Sequence, residues 1–284
     1  MSGAADIASP IGIIAGGGSL PFAVADSLIA RGGKPVLFAL RGFCDAVQVA
    51  RFHHHWISIG QFGGLKKLLR AERCETLVFI GSLVRPALSE IRLDLGTLQV
   101  MPSVIKAYRG GDDHLLTRVG RIFEQHGFRL VGIRDVAPDV LMPQGALTRL
   151  RPDARALADI TMGREVVAAL SAFDIGQGCV VIDGHVVAVE GIEGTDAMLA
   201  RVARLRDGGI IRAAACRGVL VKAAKRGQDL RFDLPTIGPD TVREALAARL
   251  AGIAIVAGNA IVAEPQTMIA AADKAGLFIE GLTP

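Results

Sequence analysis

The densest polar run in the chain is Gln228-Asp229-Leu230-Arg231-Phe232-Asp233-Leu234-Pro235-Thr236-Ile237-Gly238. An extended run puts Arg231 and Asp233 on one face, because alternate residues of a strand share a side. A cation beside a carboxylate suits cleavage of a phosphoanhydride: one neutralises charge, the other binds a metal or polarises water. The same two residues also read as an ion pair within a loop. A second constellation is Glu193-Gly194-Thr195-Asp196, just ahead of a helical pattern. Thr195 or Asp196 can cap that helix, or the free amides there can face an anionic ligand. Lys222 ends a strand-like run.

In the first half, Gly16-Gly17-Gly18 follows an apolar run and precedes a helical one. Amides at a helix N-terminus attract anions, and glycine lets a phosphate approach. A tight strand-to-helix turn explains the triplet equally well. The spacing is neither GxGxxG nor a Walker loop. Gly81-Ser82 ends another strand, so Ser82 belongs on the same sheet edge and either orients a ligand or shapes a turn. Asp112-Asp113 can hold Mg²⁺ and phosphate oxygens, or one of the two caps the next helix. His53-His54-His55 looks like a metal cluster, but neighbours on an extended segment point to alternate faces, so the three cannot converge on one ion. The run reads as surface or edge strand. The four cysteines, Cys44, Cys74, Cys179 and Cys216, form no CxxC or Cys/His ligand spacing, which fits a reducing compartment.

The elements that must position these residues follow from periodicity. Strands are predicted over Ile11–Ala15, Pro35–Leu40, Trp56–Ile59, Leu77–Ile80 and Arg129–Ile133. Helices are predicted to Arg31 from a Ser19 cap, over Phe62–Glu72, Val104–Tyr108 and His114–His126. Alternating strands and helices give a parallel α/β sheet with ligands at the strands' C-terminal ends. The proline-bearing stretch 141–153 reads as a linker between an N-terminal domain over 1–140 and a C-terminal mixed α/β domain over 154–284. In the latter, helices are predicted over Ala154–Phe173, Thr195–Leu205, Thr241–Leu250 and Gln266–Ala275. Strands are predicted over Gly218–Ala223, Ile253–Val256 and Ala260–Val262. Cys179–Ile182 and His185–Val189 flank Asp183-Gly184, a hairpin signal.

Composition narrows the classes. The chain has 284 residues, 51% hydrophobic and 21% charged, which excludes intrinsic disorder and is long enough for two domains. Aromatics at 5% argue against a stacking platform for single-stranded nucleic acid. The net charge of +4 comes without a dense basic cluster, so no nucleic-acid partner is expected. Met1–Pro10 has no signal-peptide pattern and reads as an inert tail before the first strand. Ile7–Ala25 and Leu250–Ala263 are broken by glycine or proline, so no spanning helix is expected.

Taken together, Ile13-Ile14-Ala15-Gly16-Gly17-Gly18-Ser19-Leu20-Pro21, Lys106 to Asp113, Asp174-Ile175-Gly176-Gln177-Gly178, Glu193-Gly194-Thr195-Asp196-Ala197-Met198 and Asp233-Leu234-Pro235-Thr236-Ile237-Gly238 resemble the LpxI family. These are UDP-2,3-diacylglucosamine diphosphatases of lipid A biosynthesis. The resemblance runs from about Ile11 to Leu282, in order. It implies hydrolysis of UDP-2,3-diacylglucosamine to UMP and 2,3-diacylglucosamine 1-phosphate, with Mg²⁺. It implies two domains, the first Rossmann-like, closing on a substrate bound between them. Asp233 matches the aspartate on which the family's activity depends, as metal ligand or water-orienting group. Gly16, Gly17, Gly18, Ser82, Asp113, Thr195, Asp196 and Lys222 match substrate-contacting positions, and Gln228 and Arg231 stand in the same polar run as further substrate-binding candidates. The substrate's acyl chains imply transient contact of a cytoplasmic protein with the inner-membrane surface. A homodimer is among the assemblies the sequence allows. A non-catalytic nucleotide-sugar or acyl-lipid binding protein is the competing reading. A nicotinamide oxidoreductase is disfavoured by the missing dinucleotide fingerprint.

Overall fold

The computed structural model describes residues 9–83, 93–98, 100–101, 112–173, 175–225, 229–232 and 234–284, without the side chains of 112–115. The predicted helix over Val104–Tyr108 lies outside them. The chain divides into two compact units: Met1–Val140 with Asp229–Asp233, and Leu141–Gln228 with Leu234–Pro284.

Unit 1 is built on β1 (Pro10–Ala15), α1 (Leu20–Ala30), β2 (Lys34–Leu40), α2 (Ala46–Val49), β3 (His54–Ile57), α3 (Phe62–Ala71), β4 (Thr76–Ile80), α4 (Asp112–Gln125), β5 (Arg129–Leu130) and α5 (Ile133–Val136). The strands pair in parallel in the order β3-β2-β1-β4-β5. β1 sits centrally, and Ile11, Ile13 and Ala15 are fully buried. Such a strand reads as a continuous apolar run because helices cover both faces of a parallel sheet. β3 lies at the edge, where one ladder is unpaired and polar side chains are tolerated. That matches the reading of the histidine run as edge strand. Pro10 pairs with Lys34, so the first strand begins one residue before the predicted one and takes in the end of the expected tail. The strand predicted over Arg129–Ile133 stops at Leu130, because the Asp135 carboxylate accepts from the Gly132 amide at 3.0 Å and starts α5.

Unit 2 continues with β6 (Gly145–Ala146), α6 (Ala154–Leu170), β7 (Gly178–Ile182), β8 (His185–Val189), α7 (Gly194–Asp207), β9 (Val219–Lys222), β10 (Thr236–Ile237), α8 (Pro239–Ala247), β11 (Gly252–Val256), β12 (Ile261–Val262), α9 (Pro265–Ala275) and β13 (Phe278–Leu282). A mixed sheet runs β6-β13-β11-β9-β7-β8. Cys179 and Val181 pack with α6 on one face, whereas Val180 and Ile182 pack with α7, α8 and α9 on the other. This is the period-2 alternation of a sheet covered on both sides. The Asp183-Gly184 hairpin forms with φ of 49° and 75°, and the buried Asp159 carboxylate accepts from both turn amides. The stretch read as a linker carries β6, which pairs antiparallel with β13, and Met142, which packs in the core. β13 itself went unread because Glu280 and Gly281 interrupt its apolar run.

Candidate functional site

The glycine triplet ends β1 and leads into α1. Gly16 donates its amide to Ile80 O at 2.8 Å, and Gly17 and Ser82 exchange backbone bonds at 2.8 and 2.9 Å. The two sheet-edge turns therefore form one bridge. A Cβ on Gly16 would lie 2.6 Å from the Ser82 carbonyl oxygen, and one on Gly81 would lie 2.7 Å from the Gly17 carbonyl oxygen. Gly16 and Gly17 are thus glycine for backbone approach within the protein, and their amides are already hydrogen-bonded. Gly18 is different: its φ is +90°, with open space where a side chain would point. Ser19 occupies the N-cap position in helical conformation and makes no side-chain cap, against expectation. Its carbonyl instead accepts from the amides of Phe22 and Ala23. Beside this turn lies a cleft of about 510 Å³ bordered by Gly18, Ser19, Asp45, Gln48 and the ion-paired Asp26 and Arg51.

Residues 229–232 belong to unit 1 and form a turn, with the Phe232 amide donating to Asp229 O at 3.0 Å. The run is not extended there, so alternation does not place Arg231 and Asp233 on one face. The Arg231 guanidinium grips Asp229 through Nε and Nη2 at 2.9 and 2.7 Å, and Glu124 through Nη1 at 2.7 Å. These bonds hold the Asp229 carboxyl below its ordinary value, with Arg231 hydrogen bonding the largest cause and burial opposing it. Arg231 is accordingly pushed further above its already high value, first by the Asp229 bonds. Phe232 anchors the turn against Phe79, ring centroids 5.7 Å apart. Asp233 and Gln228 lie outside the described residues, as does the side chain of Asp113, whose backbone is in the first turn of α4.

Unit 2 gathers a third group. The Lys222 ammonium donates to Thr195 Oγ1 at 2.6 Å, and that hydroxyl donates to Glu190 Oε1 at 2.9 Å. Lys222 and Glu190 are both buried, so the hydroxyl relays between opposite charges in a low-dielectric setting where each stabilises the other. Thr195 is therefore engaged in this relay rather than capping α7, which starts at Gly194 with Glu193 ahead of it. Asp196 sits in the first turn, exposed. Thr195, Asp196, Thr236 and Thr241 border a cleft of about 390 Å³ at the N-termini of α7 and α8. Its lining mixes these three hydroxyls with the carboxylates of Glu193, Asp196, Asp240 and Glu264, and the Lys222 ammonium is tied to it through Thr195. Glu190 was missed by sequence reasoning. Its signal was an acid closing the apolar run His185–Val189.

The structure thus brings Gly16, Gly17, Gly18 and Ser82 together in unit 1, and Thr195, Asp196 and Lys222 together in unit 2. Arg231 is committed to carboxylates of unit 1.

Comparison with known proteins adds the remaining finding. Residues 10–140 match the LpxI N-terminal domain and residues 143–280 the LpxI C-terminal domain. The UDP-2,3-diacylglucosamine pyrophosphatase LpxI of Caulobacter vibrioides is 43% identical over 274 residues, covering 96% of this chain and 98% of that protein. With both family domains matched in order across nearly its whole length, the chain belongs to the LpxI family.

Proposed function

We propose that this chain hydrolyses the diphosphate bond of UDP-2,3-diacylglucosamine, releasing UMP and 2,3-diacylglucosamine 1-phosphate for lipid A biosynthesis. The observation that carries this reading is the 43% identity to a pyrophosphatase of that substrate over 96% of the chain. The local chemistry supports it. A diphosphate needs donors and positive potential; within unit 1 the amides from Gly18 into α1 offer them, and within unit 2 the Lys222 ammonium does. Gly18 supplies room and Lys222 charge, with the Lys222 ammonium held in place by the Thr195 hydroxyl, whose own proton goes to Glu190.

Asp233 is assigned the central role, holding a metal or orienting the attacking water. Its neighbour Asp229 is a poorer candidate, because Arg231 holds both its oxygens. Mg²⁺ fits this chemistry, since it needs only one or two carboxylates and otherwise takes phosphate oxygens and water. When bound, it supplies charge neutralisation at the diphosphate and a more acidic water. Gln228 and Asp113 are assigned to substrate binding.

Among the described residues no helix is long and apolar enough to cross a membrane. Contact with a membrane surface is proposed through exposed apolar side chains. Leu95 is 81% exposed, and Ile192, beside Glu193 of the unit 2 cleft, is fully exposed. A cytoplasmic location at the inner leaflet follows from the substrate.

The test is UMP release from UDP-2,3-diacylglucosamine, with Mg²⁺ and with EDTA, on wild type and Asp233→Ala. Metal-dependent release lost in the folded variant supports the assignment. Tight lipid binding without release under any condition would replace it with a binding protein. Near-normal release by Asp233→Ala would remove Asp233 from the centre.

A further inference from the structure

Alternation along the edge strand keeps the three consecutive histidines from meeting, but it also places His53 and His55 on one side. His54 turns away, with its ring edge-on to Trp56 at 6.1 Å. The His53 and His55 rings lie 5.5 Å apart, and a third group from a different element reaches both. Glu72, at the C-terminal end of α3, places Oε2 2.9 Å from His53 Nε2 and Oε1 2.6 Å from His55 Nε2. The three ligand atoms lie within 4.8 Å of one another. Among the described residues this is the group of three in which histidine, cysteine or acid side chains converge so closely.

We propose that His53, His55 and Glu72 form a binding site for a divalent transition metal of the zinc class, separate from the catalytic machinery. Two imidazoles and a carboxylate are a recurrent three-ligand set for zinc, with the fourth position left to water. Ligand atoms about 2.0–2.1 Å from such an ion stand roughly 3.3 Å from each other, so the group needs only small adjustments. The access is present: the His53 side chain is 60% exposed, whereas those of His55 and Glu72 are 27% and 24% exposed. The orientation is held as well. His55 stacks on the buried Phe38 ring at 5.6 Å, which restricts how its nitrogen points. Cys74, close by in sequence, stands outside this group: it is buried, and its thiol points to the Glu72 backbone carbonyl at 3.8 Å.

Imidazole ligands select against Mg²⁺, which prefers an all-oxygen shell. Position also separates the two sites. The glycine turn lies at the C-terminal end of β1, whereas α3 runs back across the sheet to its opposite end before Glu72. An ion there would tie the edge strand to the end of α3 and so stabilise the sheet's exposed side.

The experiment is zinc titration of the full chain by calorimetry, after chelator treatment and in excess Mg²⁺, with a thermal melt at each loading. Wild type is expected to bind one zinc per chain at this site and to melt higher when loaded. His53→Ala, on an exposed side chain that does not stack on the core, is expected to weaken binding at least tenfold and to abolish the melting shift. Glu72→Gln keeps the hydrogen-bonding shape but removes the charge, and should behave likewise. His54→Ala, on the opposite side, should bind as wild type does. Absence of zinc binding by wild type, or binding by His53→Ala or Glu72→Gln as tight as that of wild type, overturns the proposal.

Discussion

Two strand-to-helix turns of unit 1 use the same materials and reach opposite ends. Between β3 and α3, the helix starts at Phe62 and carries Gly63 and Gly64 in its first turn. The Asp94 carboxylate lies over that N-terminus and accepts from the amides of Gly63 and Gly64 at 3.2 and 2.8 Å, while Thr97 Oγ1 accepts from Phe62 at 2.8 Å. Backbone contact allows this, since a Cβ on Gly96 would lie 2.5 Å from Gly63 Cα. Between β1 and α1, the N-cap residue Ser19 makes no side-chain cap and no acid occupies the first turn. The positive end of α3 is neutralised by the protein's own carboxylate, whereas the N-cap residue and first turn of α1 bring no carboxylate of their own. Glycine content therefore does not mark a phosphate site. What matters is whether the chain already fills the N-terminus.

The strongest way to break this comparison is steric. Gly16→Ala drives a Cβ into the Ser82 carbonyl and Gly96→Ala drives one into the Gly63 backbone, so each is expected to cost about 3 kcal/mol in urea unfolding. Gly18→Ala meets no atom and is expected to cost only about 1–2 kcal/mol from its left-handed backbone. Equal costs at positions 16 and 18 would mean that the bridge to Ser82 yields easily.

Asp94→Ala removes a cap and is expected to cost about 1–2 kcal/mol, with turnover per folded molecule unchanged. The pH dependence sharpens this. Burial raises the Asp94 carboxyl, but bonds from the Gly64 and Thr97 amides, the Thr97 hydroxyl and the Gly63 amide outweigh it and leave the group below its ordinary value. The native state thus binds the proton more weakly than the unfolded chain. Its stabilising contribution is full above the unfolded value of about 3.9 and is lost as pH falls through the lower folded value. Unfolding free energies of wild type and Asp94→Asn should converge as the pH drops below about 4 and separate above it. A constant difference across that window contradicts an ionised cap.

The smallest effect on stability is also the most direct test of function. Ser19→Asp gives α1 the carboxylate that α3 already has, and is expected to stabilise the fold by about 0.5 kcal/mol. It should raise KM for UDP-2,3-diacylglucosamine by competing with the diphosphate. An unchanged KM would show that the α1 N-terminus is not where the substrate's charge rests.

Local patterning was sufficient for much of this protein. Apolar runs marked the strands of the first sheet, Asp183-Gly184 marked the hairpin of the second, and the edge placement of the histidine run followed from its polarity. These are properties of neighbours a few residues apart, set by side-chain period and backbone preference. Composition and motif order also placed the chain in its family, which the matches over 10–140 and 143–280 establish. Partnerships across the chain were not legible. Asp94 closing α3, Glu190 joining Lys222 through Thr195, Glu72 meeting two histidines and residues 229–232 packing in unit 1 each depend on chain closure over long separations. Nothing in the local propensity of an acid specifies which distant donor it will meet. That choice is made when apolar faces pack and the polar groups left at their margins must find partners.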